Sequence, residues 1–184
     1  MAIDADLEKL KEVVANIQDR EAIRDCIHRE SRGRDRQDSE LIASCWWDEG
    51  ADEHGNVITK APDYPESANA GHKARYRMTS HHITTSVCEV EGNNAYCESY
   101  VLTGLFPIDS DVTTIGFGRY LDQLEKRNGE GRILNRRTVI EMSAQADGSW
   151  VLSKGVKGFL KGVWSKDDPS YKRPIMPGEE AVRW

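Results

Sequence analysis

Apolar positions recur at helical spacing from the start of the chain: Leu7, Leu10, Val13, Val14 and Ile17 are followed by Ala22, Ile23, Cys26 and Ile27. Asp19 stands between the two stretches and can cap a fresh start. The spacing therefore predicts a break there and a second, core-facing amphipathic helix from about Asp19 to Arg34, ending near Gly33. DSELIASCWWDEG predicts a short helix, capped by Asp38 or Ser39, that turns Leu41, Ile42, Cys45 and Trp46 inward and stops at Gly50. A third helix is expected from Tyr64 to Thr79, following Pro62 and Pro65.

After Ser80 the pattern changes. HHITTSVCEVEG, NAYCESYVLTGLF, TTIGFGRYLDQLE, RILNRRTVIEMSA and SWVLSKGVKGFL are rich in Val, Ile, Thr, Tyr and Phe, and turn residues such as Asn128-Gly129 separate them. These runs predict a meander of long antiparallel strands. Helices first and strands afterwards indicate an α+β domain, with a curved antiparallel sheet wrapped around N-terminal helices and enclosing a cavity. Gly104, Gly116, Gly118, Gly155, Gly158 and Gly162 fall within strand-like runs, where glycine permits bulges or sharp curvature. Residues 1–165 read as one domain with a helical extension. The Pro- and Gly-bearing tail, 166–184, reads equally as a frayed end or as a flap over the pocket or a neighbouring subunit.

The length of 184 residues fits one domain, and 38% hydrophobic with 30% charged residues excludes both a disordered chain and a membrane-spanning one. Lys and Arg number 25 against 31 Asp and Glu, a net charge of −6, so no basic surplus invites nucleic acid. MAIDADLEKL has neither the basic start nor the apolar core of a secretory signal, and a cytoplasmic location is expected. Cys26, Cys45, Cys88 and Cys97 form no CxxC pair and read as reduced, mostly buried thiols. No metal is expected, since His81 and His82 are adjacent and point to opposite faces of a strand. A phosphate-binding Gly-rich loop, a dinucleotide fingerprint, HExxH and GxSxG are all lacking. Acid–base chemistry without a cofactor is what remains.

IQDREAIRDCIHRESRGRDRQDSELIASCWWDEGADEHG, with TSHHITTSVCEVEGNNAYCESYV and GFGRYLDQLEKRNGEGRILNRRTVIEM, resembles the SnoaL-like branch of the nuclear-transport-factor-two-like superfamily over about residues 17–165. Within the branch the chain looks like the hexachlorocyclohexane dehydrochlorinases and, more distantly, the scytalone dehydratases. The resemblance implies a cone-shaped α+β barrel with a deep apolar cavity, assembled as a homo-oligomer, with a trimer favoured. It places the catalytic Asp on Asp35, the catalytic His on His82, and a cavity Arg on Arg137, or on Arg136 if the strand register slips by one. Glu30 stands where the dehydrochlorinases carry a Lys, and Arg34 where the dehydratases carry a Tyr.

His82 and Asp35 would form a base whose tautomer the carboxylate fixes. Arg137, set among Ile133, Val139 and Ile140, calls for an anion: a neighbouring carboxylate or a charge on the substrate. Trp46, Tyr76, Tyr100, Phe117 and Tyr120 offer flat walls for an aromatic ligand, and Glu30 reads either as a solvated charge or as a second carboxylate near the cavity. The expected function is a cofactor-independent lyase acting on a small aromatic molecule, expelling water, formaldehyde or another small group to form a C=C bond. A ketone isomerase or polyketide cyclase, and a non-catalytic ligand-binding subunit, are the alternatives.

Overall fold

A computed structural model describes residues 2–184. Among these residues three α-helices precede or interrupt a six-stranded sheet: α1 (Ala2–Arg36), α2 (Ser39–Ala43), β1 (Trp46–His54), β2 (Val57–Lys60), α3 (Tyr64–Lys73), β3 (Tyr76–Glu91), β4 (Asn94–Pro107), β5 (Val112–Arg127) and β6 (Glu130–Asp147). The strand order is β2-β1-β6-β5-β4-β3, antiparallel throughout except that β1 runs parallel to β6. The curved sheet is unclosed, with β2 and β3 at its edges, and α1 lies across its inner face. The expected α+β architecture is therefore present.

Several boundaries differ from expectation. The first two helical stretches are one continuous helix, because nothing at Asp19 interrupts the backbone ladder; Asp19 instead accepts an ion pair from Lys126 at 2.6 Å. Gly33 does not end α1. A Cβ there would stand 2.8 Å from Ile42 Cγ1, so Gly33 lets α2 approach, and the helix stops three residues later, where Gln37 adopts φ 56° and Asp38 N–H reaches back to the Gly33 carbonyl. Asp38 caps α2 by accepting from Leu41 N–H at 3.0 Å, but α2 closes at Ala43 and WWDEG begins β1. The third helix ends at Lys73, and the chain is already in β3 at Tyr76.

SWVLSKGVKGFL forms two short 3-10 turns, Ser149–Leu152 and Lys154–Val156, rather than a strand. Its glycines, with Gly158 at φ 92°, break the extended pattern. The tail is docked on its own chain. Asp168 accepts from Arg36 at 2.8 Å, Tyr171 OH donates to Asp38 at 2.7 Å, and Lys166 pairs with Glu40, fixing 166–184 to the end of α1 and the start of α2.

The core joins Ile23, Cys26 and Ile27 of α1 to Ile42, Cys45, Trp46, Tyr64, Leu124 and Ile133. Cys26 and Cys45 are free and buried, as expected. Cys88 and Cys97 are not separate thiols: they face each other across β3 and β4, Cα atoms 4.2 Å apart, as a disulfide pair.

Four one-residue bulges set which side chains point inward, the first at Arg77, extra between the pairs Tyr76–Pro107 and Met78–Phe106. In β3, Thr84 and Thr85 stand against Tyr100 alone, between the pairs Ile83–Val101 and Ser86–Ser99. In β6, Leu134 is extra between Ile133–Leu124 and Asn135–Gln123, and its carbonyl packs against Gly50, where a Cβ would stand 2.3 Å away. Glu141 is extra further along β6, opposite Gly118, whose Cβ would meet the Val139 carbonyl at 2.2 Å. Each bulge reverses the inward-outward alternation of its strand.

Candidate active site

The bulge at Thr84-Thr85 decides which histidine faces α1. Beyond it, even-numbered Cys88 and Val90 point inward; before it, odd-numbered Thr79, His81 and Ile83 do. His81 Nδ1 meets Asp35 Oδ1 at 2.7 Å, and the His81 backbone N–H donates to Asp35 Oδ2 at 2.7 Å. The contact expected for His82 is thus made by its neighbour. His82 lies on the outer face, exposed, hydrogen-bonded to Ser80 Oγ at 2.8 Å.

Asp35 sits in the last turn of α1, where the helix dipole disfavours a carboxylate. Two donors from His81 and a longer one from Thr79 Oγ1, at 3.4 Å, hold it there. An ionised carboxylate only accepts, so Nδ1 carries the proton and Nε2 presents a lone pair. Burial pushes the His81 pKa down, and the nearby Arg34 charge pushes it further, against the pull of Asp35. The imidazole is therefore neutral at neutral pH. His72 stacks on it, ring centroids 5.7 Å apart and planes 6° from parallel, and burial lowers the His72 pKa to about 3.

His81 forms part of the wall of a cavity of about 180 Å³ between α1, α3 and the sheet. Arg34, His54, His72, Tyr76 and Tyr120 supply its polar side; Val101, Leu105, Val139 and Ile140 supply apolar surface. Arg34 is the residue that sequence reasoning passed over. Its Nη1 donates to Tyr120 OH at 2.9 Å, while among the described residues its buried Nε has no partner. Burial opposes its charge, but Tyr120, Tyr64 and Glu30 hold its pKa above the ordinary arginine value. Asp52 lies nearby on β1, fully buried, its Oδ1 without a partner among the described residues, and burial raises its pKa to about 6.

The bulge at Leu134 puts Arg136, not Arg137, on the inner face. Arg136 is sealed: it binds Asp122 through Nε and Nη2 at 2.7 and 2.9 Å, and Glu30 through Nη1 at 2.6 Å, and lies 4.0 Å over the Tyr120 ring. Arg137 points outward, its side chain 68% exposed, and forms a two-pronged pair with Glu53. Glu30 is neither solvated nor at the cavity, because Arg136 and Tyr64 OH occupy it. Burial would raise its pKa, but the Arg136 and Arg34 charges hold it below the usual value; at Asp122, burial outweighs Arg136 and the shift is upward.

Among the aromatic residues expected at a ligand, Tyr76 and Tyr120 line the cavity. Trp46 is packed in the core against Tyr64, ring centroids 5.1 Å apart. Tyr100 is exposed, and half-buried Phe117 lies outside the cavity lining, since both share a strand parity opposite to Val101 and Tyr120. Among the described residues no group of three or more His, Cys, Asp or Glu is placed to hold a metal ion, and no helix is long and apolar enough to cross a membrane.

An α+β shell folded around a small cavity, with His81 in the wall and Asp35 behind it, is the architecture of a pocket-bearing fold. The chain belongs to the SnoaL-like domain family, whose sequence profile matches residues 15–137. A scytalone-dehydratase-like protein from Novosphingobium aromaticivorans superposes with a TM-score of 0.66 at 21% identity, over 72% of this chain and 90% of that one. A type 2 hexachlorocyclohexane dehydrochlorinase gives 0.68 at 21% identity, over 73% and 93%. A Mycobacterium tuberculosis protein of unknown function gives 0.62 at 28% identity, over 70% and 75%. No curated protein matches the chain in sequence. These likenesses establish the fold; the chemistry has to be argued from the site.

Proposed function

We propose that the protein is a cofactor-independent lyase in which His81, oriented by Asp35, removes a proton from a small aromatic substrate. The observation that carries this reading is the 2.7 Å His81–Asp35 contact in the cavity wall, with the imidazole neutral and Nε2 left to act as the base. In a dehydration, the C–H proton passes to Nε2, its bonding pair forms the C=C bond, the C–O bond breaks, and the proton returns to the departing hydroxide as water. In the formaldehyde variant Nε2 takes the proton of a primary hydroxyl. The O–H pair becomes the C=O bond of formaldehyde, the C–C pair becomes C=C, and a hydroxide leaves from the next carbon, collecting that proton. Asp35 stabilises the imidazolium in both cases, and Arg34 with Tyr120 supplies donors for charge that develops on substrate oxygen.

The cavity limits the substrate. A space of about 180 Å³ is close to the ~150 Å³ apolar cavity known to accept benzene, so one ring with a short oxygenated side chain fits. Incubation with single-ring aromatic alcohols and diols, without added cofactor, should give products lighter by water, or by water and formaldehyde. His81→Ala should lower kcat by ~10²- to 10⁴-fold with the fold intact. The rate should also fall on an acid limb lying below the ordinary histidine pKa of about 6.5, since depression of the His81 pKa keeps the base form present to lower pH. A product of unchanged mass would indicate an isomerase instead, and turnover unaffected by His81→Ala would remove the mechanism.

A further inference from the structure

The first half of α1 leaves the domain. Residues 3–18 are all exposed, and packing against the sheet begins at Asp19 and Arg20, through Lys126 and the Cys88 carbonyl. The free segment extends about 25 Å at 1.5 Å per residue. A helix of that length is marginal in water unless an apolar face is covered. Such a face exists: Ile3, Leu7, Leu10, Val14 and Ile17 are between 44% and 83% exposed. Their spacing of four, three, four and three is a heptad seam that ends where charged Glu21 and Arg24 take the next two seam positions.

This seam does not extend the helix face that packs on the chain's own sheet. At 100° per residue, Ile23, Cys26, Ile27, Glu30 and Arg34 centre about 160° away from it around the helix. A partner on the seam therefore meets α1 on the side opposite the domain, and two domains would flank a central helix pair without colliding. The charge pattern also fits a second copy. In a parallel, in-register pair the residue preceding one seam layer meets the residue five positions further on in the other chain, which brings Asp6 against Lys11 twice. Among the described residues Lys11 is held in the single chain by exposed Glu8 alone, at 2.8 Å. Parallel pairing layers all five seam residues, whereas an antiparallel pairing of matched layers leaves Ile3 or Ile17 outside. A lipid surface fits poorly: residues 2–18 hold four acids, Asp4, Asp6, Glu8 and Glu12, against Lys9 and Lys11, a balance of −2.

We propose that this segment of α1 is an association helix that zips in parallel and in register against the same segment of a second copy of the chain. The seam lies far from the cavity, so the proposal stands or falls independently of the lyase reading. Sedimentation of the full chain at micromolar concentration should give an assembly larger than one chain. Leu10→Glu with Val14→Glu should weaken association at least tenfold while the circular dichroism of the domain is kept, because both residues are exposed in the single chain. Asp6→Lys should weaken it less, and Asp6→Lys with Lys11→Asp should restore it. Leu10→Cys should form an interchain disulfide on mild oxidation, since a parallel, in-register pair sets position 10 against itself, whereas an antiparallel pairing of matched layers sets it against Leu7 or Val14. A monomeric full chain, an assembly mass untouched by Leu10→Glu with Val14→Glu, or a folded Leu10→Cys protein that does not crosslink would overturn the proposal.

Discussion

Two buried polar clusters share α1 and differ in one respect. Glu30, Arg136 and Asp122 form a closed set, in which both carboxylates meet a donor and the guanidinium spends Nε, Nη1 and Nη2 on them. One helical turn further on, His81, held by Asp35 behind it, opens onto a cavity, and beside it Arg34 Nε is buried without a partner among the described residues. Such an ionic cluster does structural work, because its charges are matched to one another in the buried core rather than offered to a ligand. Unspent lone pairs and donors facing a void are what chemistry requires.

Breaking the closed cluster should produce the largest change in stability. Arg136→Met leaves Glu30 and Asp122 buried without their cation and should cost about 3–5 kcal/mol in urea unfolding. A loss below about 1 kcal/mol would mean that water reaches the cluster and that the contrast with the cavity side is false. Asp52, buried between the charges of both clusters, tests the effect of a carboxylate left without its own cation. Its pKa rises from 3.8 to about 6 on folding, so the native state holds that proton more tightly and loses stability as pH climbs through this window. Asp52→Asn should therefore stabilise the fold by about 3 kcal/mol at pH 8 and by little at pH 4. Equal effects at both pH values would show that ionisation is not the cause. The smallest effects belong to the outward neighbours. His82→Ala and Arg137→Ala should leave kcat/KM within about twofold and stability within about 0.5 kcal/mol, in contrast to His81 and Arg136. A large effect of His82→Ala would return the base to the residue first expected.

Much of this architecture was legible in the chain. Helical spacing in α1, β-branched runs in β3 to β6 and Asn128-Gly129, both at positive φ between β5 and β6, are local signals that the fold obeys. The family resemblance also named Asp35, which the structure sets 2.7 Å from His81 Nδ1. The resemblance placed the two strand residues by motif, one position away from those that face inward, and strand parity along the chain points the same way for a single reason. Counting back in steps of two from Cys88 and Val90 arrives at His82, and counting from Ile133 arrives at Arg137. Each count crosses a bulge, at Thr84-Thr85 and at Leu134 respectively, where two residues share one partner. Ile83, two positions from His81, was the local hint that could have reversed the first assignment.

The sequence by itself determined the N-terminal helices, the β3 to β6 meander and the opposed facing of His81 from His82, since these follow from period and turn chemistry along one segment, whereas β1 and β2 were not among the predicted elements. Tertiary structure alone decided which of the two reaches Asp35, which arginine is sealed by Glu30 and Asp122, and that Arg34 borders the cavity. Strand parity is a pairwise property: it changes wherever a neighbouring strand accepts an extra residue, and no single segment records what its neighbour accepts.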